Sequence, residues 1–345
     1  MLIRRRTALS TVALAGIGAV IAVGTVAVGA PSGTGHGPGH GPWSGPGNGT
    51  GPAEVIEVSD AAGLKDALGS AQAGDTVQLA DGTYEGNFET TASGSGSAPI
   101  TLTGSSDAVL TAGGGYGLHL DGASHWKLEG FTVTGGQKGI MMDAANGVHI
   151  DSVTVHGLDM EGVHFRESSS DGSITNSTIY DTGNDGRGMG EGVYVGSAGG
   201  TDDKSDRILI EGNTLGPDIR GENIDIKEGT TGARIVGNTF DGNGLTGANY
   251  DDSWVDIKGN DVLVENNTGK NTTNDGYQTH DAQDGWGCDT VFRGNKSDLN
   301  GASGPDRFAI NVTNYDEQDC PVTVTGDNTV TGGKGLTNPG VPVGD

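Results

Sequence analysis

Short runs in which apolar and polar residues alternate recur along most of the chain. From Gly117 onward they occupy Gly117–Leu120, Gly139–Met142, Gly162–Phe165, Gly192–Val195, Glu222–Ile226, Ser253–Ile257, Asp275–Thr279 and Asp306–Ile310, starting 22 to 31 residues apart. Each leads into a second apolar run that ends in a polar turn, as in Ile210–Thr214, Val236–Thr239 and Val264–Thr268. Alternation with period two predicts a half-buried strand, and a strand phrase returning at this interval predicts the coils of a solenoid. One such coil cannot bury its apolar face, but a stack of them forms a continuous core. Asn213, Asn238, Asn267 and Asn295 fall at one equivalent position, so a ladder of stacked amides is expected inside the stack. Near the start, Gly63–Leu68 reads as a short amphipathic helix that caps the open end, and Ala73–Leu79 as the first strand.

Composition alone points elsewhere. With 65 glycines in 345 residues and a formal charge of −26, the chain resembles a disordered acidic polymer. The repeat rejects that reading, because glycine suits the corners of coils, where φ turns positive. The glycines follow no three-residue period, which excludes collagen. The charge excludes a nucleic-acid surface.

The ends are predicted to be separate from the solenoid. Arg4, Arg5 and Arg6 precede an apolar run from Val12 to Val28, the order of a secretory signal over residues 1–30; an uncleaved membrane anchor is the alternative. Residues 31–53 read as a Gly/Pro linker containing His36 and His40. The solenoid is expected over 54–335 and a tail over 336–345. A secreted, extracellular monomer is expected, with no membrane partner beyond export. Cys288 and Cys320 occupy the same station on successive coils, close enough for a disulfide that export would keep oxidised.

If the aliphatic residues face inward, their neighbours line up on the outer face. One column reads His164, Tyr194, Asp225, Asp256, Gln278; the next reads Arg166, Gly196, Lys227, Lys258, His280, with Asn311 one coil further and Asn223 and Trp254 flanking. Like charges directly opposite each other are unfavourable, so paired aspartates beside paired lysines point to function. Removing the proton beside a uronate carboxylate requires neutralisation of that carboxylate, a base, and an acid for the leaving oxygen. Asp225, Asp256 and Glu222, with Glu191 near the edge, form a candidate site for a hard cation such as Ca²⁺. Lys227 or Lys258 is the candidate base if its pKa falls, which the aspartates oppose unless a cation occupies them. His280 or Tyr194 is the candidate acid, and Arg166 a carboxylate binder. His164, Trp254, Asn223, Gln278 and Asn311 are candidate substrate contacts, Trp254 by stacking on sugar. The segment from Asp181 to Glu191 lacks the spacing of a calcium loop.

The helix, the phrase Ala73–Tyr84, Ala98–Gly104 and the repeated Gly-Asn-Thr turns resemble secreted right-handed parallel β-helix proteins, and within them polysaccharide lyases of the chondroitinase B and alginate lyase kind. The resemblance covers roughly residues 54–335. It implies an all-β, pectin-lyase-like solenoid that acts on an acidic polysaccharide by β-elimination. Glu222 and Lys227 are the candidate matches to that family's acid-and-lysine coil; Lys258 stands on the next coil where the family has arginine. The signature motifs of the commonest pectate lyases are missing. The rival readings are a non-catalytic glycan-binding or adhesive β-helix, and a glycoside hydrolase using Asp225 and Asp256 at the short separation of a retaining enzyme.

Overall fold

Every strand-to-strand pairing between named strands is parallel and joins one coil to the next, so three sheets run the length of the stack. A computed structural model of the chain describes residues 52–313 and 315–344. The segment 1–30 and nearly all of 31–53, including His36 and His40, lie outside the described residues. Among those described, no helix is long and apolar enough to cross a membrane.

The first sheet has 11 strands, from Val55–Val58 to Val322–Val324, and the second has 10, from Gly82–Glu85 to Thr329–Gly332. The third, also of 10 strands, runs from Phe88–Thr90 to Gly335–Thr337 and carries the repeat phrases. Within it Ile140 pairs with Val163, Val163 with Val193, Val193 with Ile224 and Ile224 with Val255, all fully buried. This is the predicted all-β parallel solenoid, with an inward side chain, most often aliphatic, at every second position.

The repeat glycine that precedes these strands has a steric cause. A Cβ on Gly139 would lie 2.4 Å from the Gly162 carbonyl oxygen, and one on Gly162 2.6 Å from that of Gly192. Coils approach here through bare backbone.

The helix spans Ala61–Ser70, and Asp60 caps it by accepting from the Gly63 N–H. Leu64, Ala67 and Leu68 are its buried residues, and it packs on the first strands of the stack, as expected of a cap.

The amide ladder is present. Asn213 Nδ2 donates to Asn238 Oδ1, Asn238 to Asn267, Asn267 to Asn295 and Asn295 to Asn328, at 2.9–3.0 Å. Each Nδ2 also donates to a backbone carbonyl of the preceding coil, such as Ile210 for Asn238. Asn328 is a rung that the repeat did not reveal, because one extra residue enters its turn. In the strand before it Thr290 pairs with Val322, which places Cys288 beside Cys320. They form a disulfide with Cα atoms 4.7 Å apart.

Candidate functional site

The outer columns stand in the register expected. His164 pairs with Tyr194, Tyr194 with Asp225, Asp225 with Asp256, Asp256 with Gln278 and Gln278 with Asn311. They form the floor of a cleft of about 870 Å³. Arg166, Lys227, Lys258 and His280 line the same cleft, as does Glu222.

Two predicted contacts are elsewhere. Trp254 is fully buried, and its Nε1 donates to the Lys270 carbonyl. It stands at the repeat-glycine station, where the corner turns side chains inward. Gly269 and Gly276 leave its slot open, since a Cβ on either would lie 2.5 or 2.7 Å from the indole. Asn223 occupies the same station one coil earlier and is also fully buried. Strict alternation puts both outside; the corner breaks it.

The paired lysines and aspartates interleave instead of repelling. Lys227 Nζ lies 2.5 Å from Asp225. Lys258 bridges Asp225, at 3.2 Å, and Asp256 in a still shorter contact. Burial is the largest influence and lowers each ammonium's pKa, but Asp225 and the neighbouring carboxylates together outweigh it, so both lysines sit above their ordinary value. Neither is a ready base in this state. Burial pushes the Asp256 carboxyl up, and the charges of Lys258 and His280 overcome that and hold it below the usual range. Asp256 therefore serves the lysine and is absent from the acidic cluster, where Glu191 takes the place assigned to it.

That cluster is Glu191, Glu222 and Asp225, each offering an oxygen within 4.8 Å of the others. Burial and then the Asp225 charge push Glu191 up to about 8 and Glu222 well above its usual value. Glu191 Oε2 is buried with no hydrogen-bond partner. Hard oxygen donors gathered this closely, one of them orphaned, fit a divalent cation such as Ca²⁺.

Tyr194 sits between His164 and Lys227. Its ring meets the His164 imidazole edge-on at 4.4 Å, and Lys227 Nζ lies 5.0 Å from its centroid. Burial, followed by Asp225 and Glu191, raises the phenol's pKa. His164 Nε2 is 2.9 Å from the Gly196 carbonyl, to which it donates. Burial and the Lys138 ammonium lower its pKa to about 3, so it stays neutral. Arg166 is clamped bidentately by Asp143 at 2.7 and 2.8 Å. At the other end Gln278 donates to Asp252 and Asp275, and Asn311 donates to Asp275. His280 Nε2 donates to Gln278 Oε1 at 2.9 Å.

Glu161, Asp252 and Tyr250 also line the cleft and were not foreseen. A signal for the first was present: Glu161 and Glu191 each immediately precede a repeat glycine, and Glu222 precedes Asn223 at the same station.

A model of the right-handed β-helix region matches residues 116–253. Among solved structures, an alginate lyase from Paenibacillus sp. str. FPU-7 is 38% identical, with a TM-score of 0.72 over 84% of this chain and 97% of that one. The chain belongs to the right-handed β-helix family of that lyase. Two further structures share this β-helix fold. Pectate lyase Pel9A is 15% identical, covering 82% of this chain and 80% of its own, at TM-score 0.56. The Streptococcus pneumoniae surface protein and adhesin PfbA is 14% identical, covering 81% and 82%, at 0.55. No curated protein matches by sequence. This β-helix is lyase-like in architecture.

Proposed function

We propose that the protein cleaves an acidic polysaccharide, alginate or a related polyuronate, by β-elimination in the cleft. The observation that carries this is the adjacency of Tyr194 and Lys227 on a floor whose other ammonium, Lys258, is fixed by two carboxylates. Elimination transfers the proton beside the uronate carboxylate to a base, and the electron pair forms the new double bond as the glycosidic oxygen leaves with a proton. Lys258, held charged, neutralises the carboxylate. Lys227, which contacts one aspartate where Lys258 contacts two, is the base. Tyr194, kept as the phenol, protonates the leaving oxygen. Arg166 and His280 extend the basic row along the polymer. Glu191, Glu222 and Asp225 are the residues that would hold a cation, which would offset the substrate's charge and weaken the hold of Asp225 on Lys227. The resting protein has both Lys227 and Tyr194 protonated, so activity rises with pH.

A hydrolase is disfavoured because Lys258 engages both Asp225 and Asp256. Export through residues 1–30 and a monomeric state belong to this reading, and the disulfide suits an oxidising compartment.

The test is a panel of alginate, pectate, glucuronan and chondroitin, followed by ultraviolet absorbance of unsaturated ends, with calcium and with chelator. Turnover that disappears in Lys227→Met and in Tyr194→Phe supports the lyase. Binding without unsaturated product overturns it in favour of a glycan-binding β-helix.

A further inference from the structure

Among the described residues Tyr250 is the one exposed aromatic, at 88%. It stands in the turn Ala248–Tyr250 with φ +69, after Asn249 at +52. This is the left-handed region, where a bulky side chain is an outlier, and no other described phenylalanine, tyrosine or tryptophan adopts it. The turn is held on both sides. The Thr246 N–H and hydroxyl donate to the buried Asp251 carboxylate, and Asn249 Nδ2 donates to the Gly188 carbonyl. Gly188 packs so closely that a Cβ there would lie 2.5 Å from the Ala248 oxygen. Among the described residues no hydrogen bond or ring contact engages the phenol itself. The backbone is thus constrained against its preference, a mark of ligand clamps, while the ring is left free in the cleft that holds Tyr194 and Lys227.

We propose that Tyr250 is a subsite residue whose ring stacks on a pyranose of the bound polysaccharide. This rests on reading the cleft as a polyuronate site. The hydrogens on one face of a sugar ring carry partial positive charge and meet the negative face of an aromatic ring. In a chain of net charge −26 such a contact supplies affinity that repulsion between protein and polymer does not oppose and that salt does not screen. Trp254, the aromatic expected to stack, is buried in the core, which leaves this surface to Tyr250.

The test uses the full chain carrying Tyr194→Phe to stop turnover, with size-fractionated alginate, pectate and glucuronan oligosaccharides titrated calorimetrically. Adding Tyr250→Ala is expected to weaken binding roughly tenfold, equivalent to about 1.4 kcal/mol, at low and high salt alike. Tyr250→Phe keeps the parent affinity. In the active protein Tyr250→Ala raises KM by the same factor with kcat nearly unchanged, and thermal stability does not fall. An alanine variant with parental affinity and KM overturns the proposal, as does a phenylalanine variant as weak as alanine. Oligosaccharide binding by the parent without unsaturated product from the active protein removes the lyase reading alone, and the alanine comparison still decides on Tyr250. If no polyuronate binds the parent, both fall.

Discussion

The amide ladder and the charged floor of the cleft are both rows of polar side chains, repeated once per coil and largely removed from water. They behave in opposite ways. In the ladder Asn238, Asn267 and Asn295 each give one N–H to the next rung and one to a backbone carbonyl, while the side-chain oxygen accepts from the rung before, so adjacent rungs complete one another. On the floor each ionised group depends on its neighbours' charge: Asp225 raises the pKa of Lys227, Lys258, Glu191, Glu222 and Tyr194 together. A neutral row satisfies itself and stabilises; a charged row stays responsive to protons, cations and anionic ligands. The first holds the stack together, and the second gives it chemistry.

Replacing Lys227 by Met separates the two rows most sharply. Turnover of a responsive polyuronate is expected to fall about a thousandfold or more, within the range of losing a general base, while the denaturation midpoint changes little. Breaking the ladder with Asn238→Ala does the reverse. It leaves the buried Asn213 N–H and one Asn213 amide hydrogen without their acceptor and takes a donor from the Asn267 oxygen and the Ile210 carbonyl, which costs roughly 3 kcal/mol, read as a lower urea midpoint. Activity per folded molecule is retained.

The pH dependence of stability distinguishes the rows further. The Glu191 pKa is raised in the folded protein to about 8, so the fold binds a proton that the unfolded chain has released above its ordinary value. Stability therefore falls as pH rises from the ordinary glutamate range through 8. In the presence of chelator, Glu191→Gln should remove this loss, on the order of 5 kcal/mol at pH 9, and match the parent near pH 4; calcium should stabilise the parent and not the variant. His164 acts at the acid end. Its folded pKa lies near 3, so stability falls as pH drops below the ordinary histidine value. The smallest effect is kinetic: Asp225→Asn should move the rise of kcat with pH about one unit lower, because the charge holding the protons on Lys227 and Tyr194 is gone. An unmoved profile would show that Asp225 does not control the base.

The columns were legible because a strand pairs in register with the next coil: once Val193 and Ile224 are inside, Tyr194 and Asp225 must lie side by side outside. Trp254 and Asn223 were misplaced because period-two alternation ends at the corner, and only Gly269 and Gly276 decide that an indole fits within. Tyr250 was not legible, since its turn has no counterpart on other coils. That the aspartates oppose a fall in lysine pKa was legible in the columns, but how they are shared was not. A column shows that two ammoniums are neighbours, whereas Asp225 reaching both of them is a matter of side-chain geometry.

Sequence by itself determined the solenoid, the register of its outer columns and the disulfide partners, because each follows from a periodic requirement to bury apolar residues and stack coils. Tertiary structure alone decided what is aperiodic: which polar groups face the cleft, which are sealed in the core, and how charge is shared among them. Those outcomes depend on corners, loops and distances between coils, where each residue's surroundings come from segments remote in the chain.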